Sequence, residues 1–220
     1  MAVVCEGCGG WVEPVVDHEA QEWRCPGCGR ATPGRLLPLF IVTGASGAGK
    51  TAVVTPLRGL LPDWDVFETD ILWDSGHDAD PDRAWHFARS NWLRIAHSIA
   101  QSGRHTILCG TQVPEHIDRC DHRAFFPRVH YLNLHCDDAM RAARLRARPA
   151  WRGCDEAFVA EQRNFARWLL DNAETAFDPP LVTIDTTEAS VEDVAAQVAT
   201  WARANAAVAP SDDFAQVHWR

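Results

Sequence analysis

The chain has 220 residues, 46% of them hydrophobic and 23% charged, and a formal net charge of −9. Such a composition is that of a globular protein with one sizeable core and room for a small appendage, and it excludes disorder throughout. No apolar run approaches the roughly 18 residues that span a bilayer, the N-terminus has neither region of a signal peptide, and the net acidity disfavours bulk attraction to nucleic acid or anionic membrane; a cytoplasmic protein is expected.

The first pattern along the chain is Cys5-Glu-Gly-Cys8 and Cys25-Pro-Gly-Cys28, two C-x2-C pairs separated by sixteen residues. In a reducing compartment paired cysteines at this spacing more often hold a metal than form disulfides. Each turn aims two thiolates at one centre, and Gly9 and Gly29 suit the tight knuckle backbone. Four thiolates, Cys5, Cys8, Cys25 and Cys28, would close a tetrahedron around a structural Zn²⁺, with iron in the same cage left open and a redox dithiol as the competing reading. The short alternating stretch from Trp11 to Trp23 reads as a hairpin between the knuckles. Residues 1–34 are therefore expected to form a zinc-ribbon-like module. Its few basic residues make nucleic acid an unlikely partner for it.

Leu36 to Thr43 is an apolar run suited to a buried parallel strand, and it leads directly into Gly44-Ala45-Ser46-Gly47-Ala48-Gly49-Lys50-Thr51. This G-x-x-x-x-G-K-T pattern between a strand and a helix is a phosphate cradle. Its backbone amides curl around the anion, Lys50 reaches the β- and γ-phosphates, and the Thr51 hydroxyl can ligate Mg²⁺. Lys50 is the only lysine among 21 basic residues. Pro56 falls inside the helix that should follow, where it is expected to remove a hydrogen bond and kink it.

Further strands are predicted at Trp64–Thr69, His105–Gly110, Val129–His135 and Leu181–Asp185. A helix is predicted from about Pro81 to Gln101, capped by Asp80, with Trp85, Ala88, Trp92, Ile95, Ala96 and Ile99 as its apolar stripe. Other helices begin near Asp138, Asp155 and Ser190, the last with Ser190 and Asp193 as a capping pair. Five strands alternating with helices imply an α/β, three-layer P-loop NTPase fold with a mostly parallel sheet, ligands binding at the carboxyl ends of its strands. The expected division is a P-loop domain over 35–205, with a lid at about 141–153, and a tail over 206–220.

The P-loop, the acidic residue after the second strand and the arginine-rich segment after the fourth resemble the nucleoside-monophosphate-kinase-like superfamily of small P-loop kinases, over roughly Leu36 to Ala204. The resemblance implies a five-stranded sheet in the order 2-3-1-4-5. It implies that Asp70 orients or deprotonates the acceptor hydroxyl and that Lys50, Arg144 and Arg148 stabilise transfer, with Arg141, Arg146 and Arg152 in the same lid. It further implies that Gly110, Thr111 and Gln112, together with Arg89 and its neighbours Arg83 and Arg94, face the acceptor, and that Thr186 and Thr187 approach the nucleotide base. No acidic residue ends the third strand, so Mg²⁺ would rely on Thr51, phosphates, water and Asp70. His116, Cys120 and His122 lack familiar ligand spacing, and Cys109 and Cys136 read as small buried residues.

The leading expectation is an ATP- and Mg²⁺-dependent kinase for a small-molecule acceptor, such as a nucleoside or nucleotide. The alternatives are a zeta-toxin-like nucleotide-sugar kinase and, from a different class, an ATP-binding regulator whose ribbon engages a protein or nucleic acid. Neither the acceptor nor the oligomeric state can be read from these residues.

Overall fold

The computed structural model describes residues 3–72 and 80–206; all but the first residue of the expected tail lies outside them. The N-terminal part consists of short strands built around the two cysteine knuckles. β1 (Val3–Val4) pairs antiparallel with β2 (Trp11–Val12) across the first knuckle, while β3 (Val15–Asp17), β4 (Glu22–Arg24) and β5 (Ala31–Pro33) form an antiparallel sheet with the second knuckle between β4 and β5. The stretch expected as one hairpin is thus divided, with β2 in one sheet and β3–β4 in the other. Glutamines bond this part to the core on both sides of the connecting segment. Gln21 accepts from the amides of Gly34, through its main chain, and Leu36, through its side chain; Gln101 both accepts from and donates to the Arg35 main chain.

The core sheet begins with β6 (Leu39–Thr43), three residues later than expected. Pro38 has no N–H to give a ladder, so pairing starts beyond it. β6 leads through the glycine-rich loop into α1 (Lys50–Leu60), and then come β7 (Trp64–Glu68), a 3₁₀ turn over Thr69–Leu72 and α2 (Pro81–Ala100). β8 (His105–Cys109), α3 (Pro114–Asp118), β9 (Val129–His135), α4 (Asp138–Arg146), α5 (Glu156–Asp171), β10 (Val182–Asp185) and α6 (Val191–Ala206) complete the described chain. All five core strands run parallel in the order β10-β9-β6-β8-β7, which is 2-3-1-4-5 when read from the other edge and numbered within the sheet.

Alternation along the fully buried β6 divides the core. Phe40 and Val42 face a cluster with Val53, Leu57 and Val198 from α1 and α6, whereas Leu39 and Ile41 face Trp92, Leu93 and Leu169 from α2 and α5. The two-sided burial makes the three layers. On α2 the buried stripe is Ala88, Trp92, Leu93, Ala96 and Ala100, rotated from the expected one so that Leu93 enters while Trp85, Ile95 and Ile99 stay half-buried. Asp80 caps this helix by accepting from Asp82 and Arg83. Pro56 does not end α1: Val53, Val54 and Leu57 are buried on both sides of it, and this packing outweighs the lost hydrogen bond.

Candidate functional site

The carboxyl ends of the core strands bring several of the expected site residues to one cleft of about 260 Å³, between the P-loop, the end of β7, the end of β8 and the chain after α4. Gly44 turns the chain out of β6 with φ of +142°, and a Cβ there would stand 2.4 Å from the Leu134 carbonyl oxygen, so only glycine permits the loop to pass β9 this closely. Lys50 folds back over the loop, its Nζ donating to the carbonyls of Gly44 at 2.7 Å and Ala45 at 3.0 Å. Burial pushes the Lys50 pKa down to about 8; the Asp70 charge works against this and the Arg148 charge adds to it. An anionic phosphate in the cradle would relieve both penalties.

The Thr51 hydroxyl donates to the Glu68 carboxylate, and Glu68 lines the cleft with Asp70. Glu68 belongs to none of the expected motifs, although its signal lies in the strand period. Val66 faces the α1 layer, so Glu68, two residues on, projects on the same side, beside the first turn of α1. Two hard oxygen donors of the kind Mg²⁺ takes thus meet at the loop mouth, while β8 closes with Cys109 and not with a carboxylate. That thiol lines the cleft wall but is buried, which pushes its pKa up to about 12; Cys136 is also buried.

Asp70 is exposed to the cleft on the 3₁₀ turn after β7. Two contacts fix that turn. The Trp92 indole donates to the Thr69 carbonyl at 2.9 Å, and Thr69 presses so closely on Gly110 that a Cβ there would meet its Oγ1 at 1.8 Å. Gly110 is therefore glycine for the sake of Thr69. Thr111 lines the cleft and donates to the Gly44 carbonyl, whereas Gln112 is buried, its main chain bonded through both N–H and C=O to the Thr43 hydroxyl. The Gln112 side chain accepts from Arg89 Nε at 2.9 Å. Neither Gln112 nor Arg89 lines the cleft, and Arg83 and Arg94, exposed on the same helix as Arg89, do not line it either.

The arginines of the expected lid separate into different uses. Arg141 does not reach over the cleft. It is 1% exposed, donates to the Cys136 carbonyl and to Asp138, and packs under Gly47, because its position on α4 faces the back of the loop. Arg144 lines the cleft but donates to Gly47 O at 3.2 Å and to Thr186 O at 2.8 Å, clamping the P-loop to the chain after β10. Arg146 turns outward to a bidentate pair with Glu156. Arg148 and Arg152, beyond the end of α4, line the cleft. Gln162 of α5 is an addition: its side-chain oxygen accepts from the Ser46 amide at 2.8 Å and steadies the loop from below.

Beside the loop lies a second, mostly apolar recess lined by Ala52, Val53, Thr186, Ala189, Val191 and Val194. Thr186 is buried and donates to the Ala48 carbonyl. Thr187 is not brought there; its hydroxyl accepts from the Asp137 amide at the start of α4.

Far along the sequence from this cleft, the four ribbon cysteines converge, all their sulfurs lying within 4.8 Å of one another, with Cys5–Cys28 at 3.6 Å and Cys8–Cys25 at 3.9 Å. A tetrahedron with Zn–S bonds of about 2.3 Å has edges of about 3.8 Å, so the residues fit Zn²⁺. The knuckles repeat one geometry. In each, the main chain of the first cysteine accepts from a glycine amide and donates to a residue five positions on, Gly10 or Arg30. Amide hydrogen bonds from Cys8 and Gly7 pull the Cys5 thiol down, whereas Cys28 goes the other way: against its amide bond from Arg30, hydrogen bonding with the neighbouring thiols pushes it up. Among the described residues this is the only such cluster; His116, Cys120 and His122 do not form one.

No family model and no curated protein matches the sequence. Solved structures do match. A sugar kinase from Janibacter sp. aligns over 80% of this chain and 99% of its own, at 17% identity and a TM-score of 0.55. Thymidylate kinase from Candida albicans aligns over 77% and 92%, at 15% identity and 0.51, and a gluconokinase from Sinorhizobium meliloti over 79% and 95%, at 18% identity and 0.50. The chain has the P-loop kinase fold, with a four-cysteine cluster compatible with a small zinc module at its N-terminus.

Proposed function

We propose that this protein is an ATP-dependent phosphotransferase that moves the γ-phosphate to a small-molecule acceptor. The observation that carries the reading is the convergence of Lys50, the Thr51–Glu68 pair, Asp70, Arg148 and Arg152 on one cleft at the mouth of the P-loop. The kinase-fold neighbours support it, and the transfer chemistry needs this set: cations where charge develops, and a carboxylate beside the incoming hydroxyl.

In this reading the triphosphate occupies the loop over residues 44–51, with the base in the apolar recess beside Thr186. Lys50 leaves its carbonyl partners for the β- and γ-phosphates. Thr51 and Glu68 hold Mg²⁺, which when bound neutralises phosphate charge. Asp70 accepts the proton of the acceptor hydroxyl as the acceptor oxygen bonds to the γ-phosphorus, and the bond from that phosphorus to the bridging oxygen breaks, ADP leaving with the electron pair. Arg148 and Arg152 approach the transferring group from the lid side. Arg144, which lines the same cleft, also acts as a positioning residue that fixes the loop to the base recess. The acceptor enters from the side of Gly110 and Thr111.

The test is transfer of labelled γ-phosphate from ATP to a panel of nucleosides, nucleotides, sugars and aminoglycoside-like compounds, with Lys50→Ala as control. A labelled product that the control lacks is the expected result. Hydrolysis without any labelled acceptor would turn the reading towards a nucleotide-dependent regulator.

A further inference from the structure

The cleft is polarised across its width. In the sheet, β9 and β8 flank the central strand β6 on opposite sides, with β7 beyond β8. The cations that line the cleft beside Lys50, namely Arg144, Arg148 and Arg152, all come from the chain that follows β9, whereas the carboxylates of Glu68 and Asp70 come from the end of β7 and the turn after it. Among the described residues the β7–β8 wall consists of Glu68, Asp70, Cys109, Gly110 and Thr111, with no basic side chain. Lys50 is the only lysine of the chain, and residues 73–79, which follow the Asp70 turn in sequence, contain no arginine. Nor does Lys50 cancel this charge for a ligand, because its Nζ is directed to the carbonyls of Gly44 and Ala45 and, in turnover, to the phosphates of the donor.

Hydrogen bonding gives the same wall a second polarity. An ionised carboxylate offers lone pairs and no proton. The Gly110 amide already donates to the Val42 carbonyl at 3.1 Å, and the Thr111 hydroxyl donates to the Gly44 carbonyl at 3.1 Å, which leaves the Thr111 oxygen with lone pairs to offer. Glu68 takes the Thr51 proton. Asp70, Glu68 and Thr111 therefore accept hydrogen bonds, and their complement is a ligand rich in donors, such as a row of hydroxyls. A phosphate or carboxylate brings lone pairs against lone pairs and a charge of the same sign. The chemistry of transfer points the same way. Asp70 can take a proton only from an attacking oxygen that carries one; a hydroxyl does, whereas a phosphate monoester, with a second pKa of about 6, has lost it at neutral pH.

We infer that the acceptor is an uncharged polyhydroxy compound of the nucleoside or sugar class, and that the wall of Glu68, Asp70 and Thr111 rejects its counterparts bearing a phosphate or carboxylate. The inference rests on the phosphotransferase reading for the attacking hydroxyl, but the preference for a neutral ligand is measured without transfer.

The test has two arms. In the first, the P-loop is filled with Mg²⁺ and a non-hydrolysable ATP analogue, and matched pairs are titrated calorimetrically: adenosine and thymidine against their 5′-monophosphates, glucose and galactose against glucuronate and galacturonate. In at least one pair the neutral member should bind about 10-fold or more tightly than the charged one, the order expected for one uncompensated contact between like charges. Asp70→Asn, which keeps the shape of the side chain and removes its charge, should shrink that ratio about 3-fold or more by tightening the charged member; a residue that only shaped the wall would weaken both. Arg94→Ala, exposed on α2, should leave the ratio unchanged. In the second arm, labelled γ-phosphate transfer from ATP is compared within each pair, and kcat/KM for the charged member should be about one-tenth or less of that for the neutral one.

Equal or tighter binding of the charged member in every pair would overturn the inference, as would an unchanged ratio in Asp70→Asn or the failure of every neutral compound to bind at millimolar concentration. Transfer to charged acceptors in preference to neutral ones would reject it and leave the phosphotransferase standing; a neutral preference in binding, with no labelled product from any acceptor, would do the reverse. Should Asp70→Asn fail to fold, Thr111→Val, which removes the hydroxyl lone pairs at nearly constant shape, supplies a second comparison. It should weaken the neutral member about 2- to 10-fold, the range for one hydrogen bond, and an unchanged affinity would overturn the part assigned to this wall.

Discussion

The cysteine cluster and the cleft proposed for the nucleotide are assembled from the chain in opposite ways. The four sulfurs come from two short knuckles of the same geometry, each closed by hydrogen bonds within five residues of its first cysteine. The cleft draws on four stretches, at residues 46–52, 68–70, 109–111 and 144–152, and Arg144 ties it to a fifth at Thr186. A local site depends on its ligand to hold its fold, because so few residues build no core of their own. A site assembled from distant segments depends on the packing of the sheet, and single charges within it can be changed while the frame persists.

That contrast can be broken or sharpened by experiment. The largest effect expected is from Asp70→Asn, which keeps the size of the side chain on a turn fixed by Trp92 and Thr69. Transfer should fall by about 10²- to 10⁴-fold, the range of a general base, while ATP still binds and raises the melting temperature. Full transfer activity would remove Asp70 from its role. Next in size is the double replacement of Cys25 and Cys28 by serine. Elemental analysis should show one tightly bound metal ion per chain in the wild type and none in the variant, with protection of the ribbon amides lost and ATP-induced stabilisation of the core retained. Unchanged metal content would reject the tetrathiolate site. If nucleotide binding were lost as well, the two regions would be one cooperative unit and the contrast would fail.

The smallest effect concerns pH. Lys50 titrates at about 8 in the folded chain against 10.5 for an unperturbed lysine, so between those values the unfolded chain holds more protons than the folded one. The nucleotide-free protein should therefore gain stability from Lys50 as pH rises through that window, while nucleotide affinity, which requires the protonated amine, should fall. The two slopes have opposite signs, and Lys50→Met should abolish both. Calorimetric titration in buffers of different ionisation heat should show proton uptake on nucleotide binding above about pH 8; its absence would place the Lys50 pKa elsewhere.

Much of this molecule was legible in the order of its residues, for reasons that are local. The spacing of Cys5, Cys8, Cys25 and Cys28 implied a common centre because a C-x2-C turn has few ways to place its sulfurs. The glycines and Lys50 after an apolar run implied a phosphate cradle, since a buried strand followed by G-x-x-x-x-G-K-T turns its amides inward. The alternation of strands and helices implied the parallel sheet, and the strand order followed from the resemblance. What tertiary structure alone decided is the use of each polar side chain. Arg141, Arg144, Arg146 and Arg148 are nearly adjacent in sequence, yet one supports the loop from behind, one clamps it to Thr186, one pairs with Glu156 in solvent and one faces the cleft. Glu68 meets Thr51, and Gln112 meets Arg89, across 17 and 23 residues. The physical reason is that periodicity determines which side of an element a residue occupies, whereas a charge acts over a few ångströms, and only the packing of helices on the sheet determines which other charge lies within them.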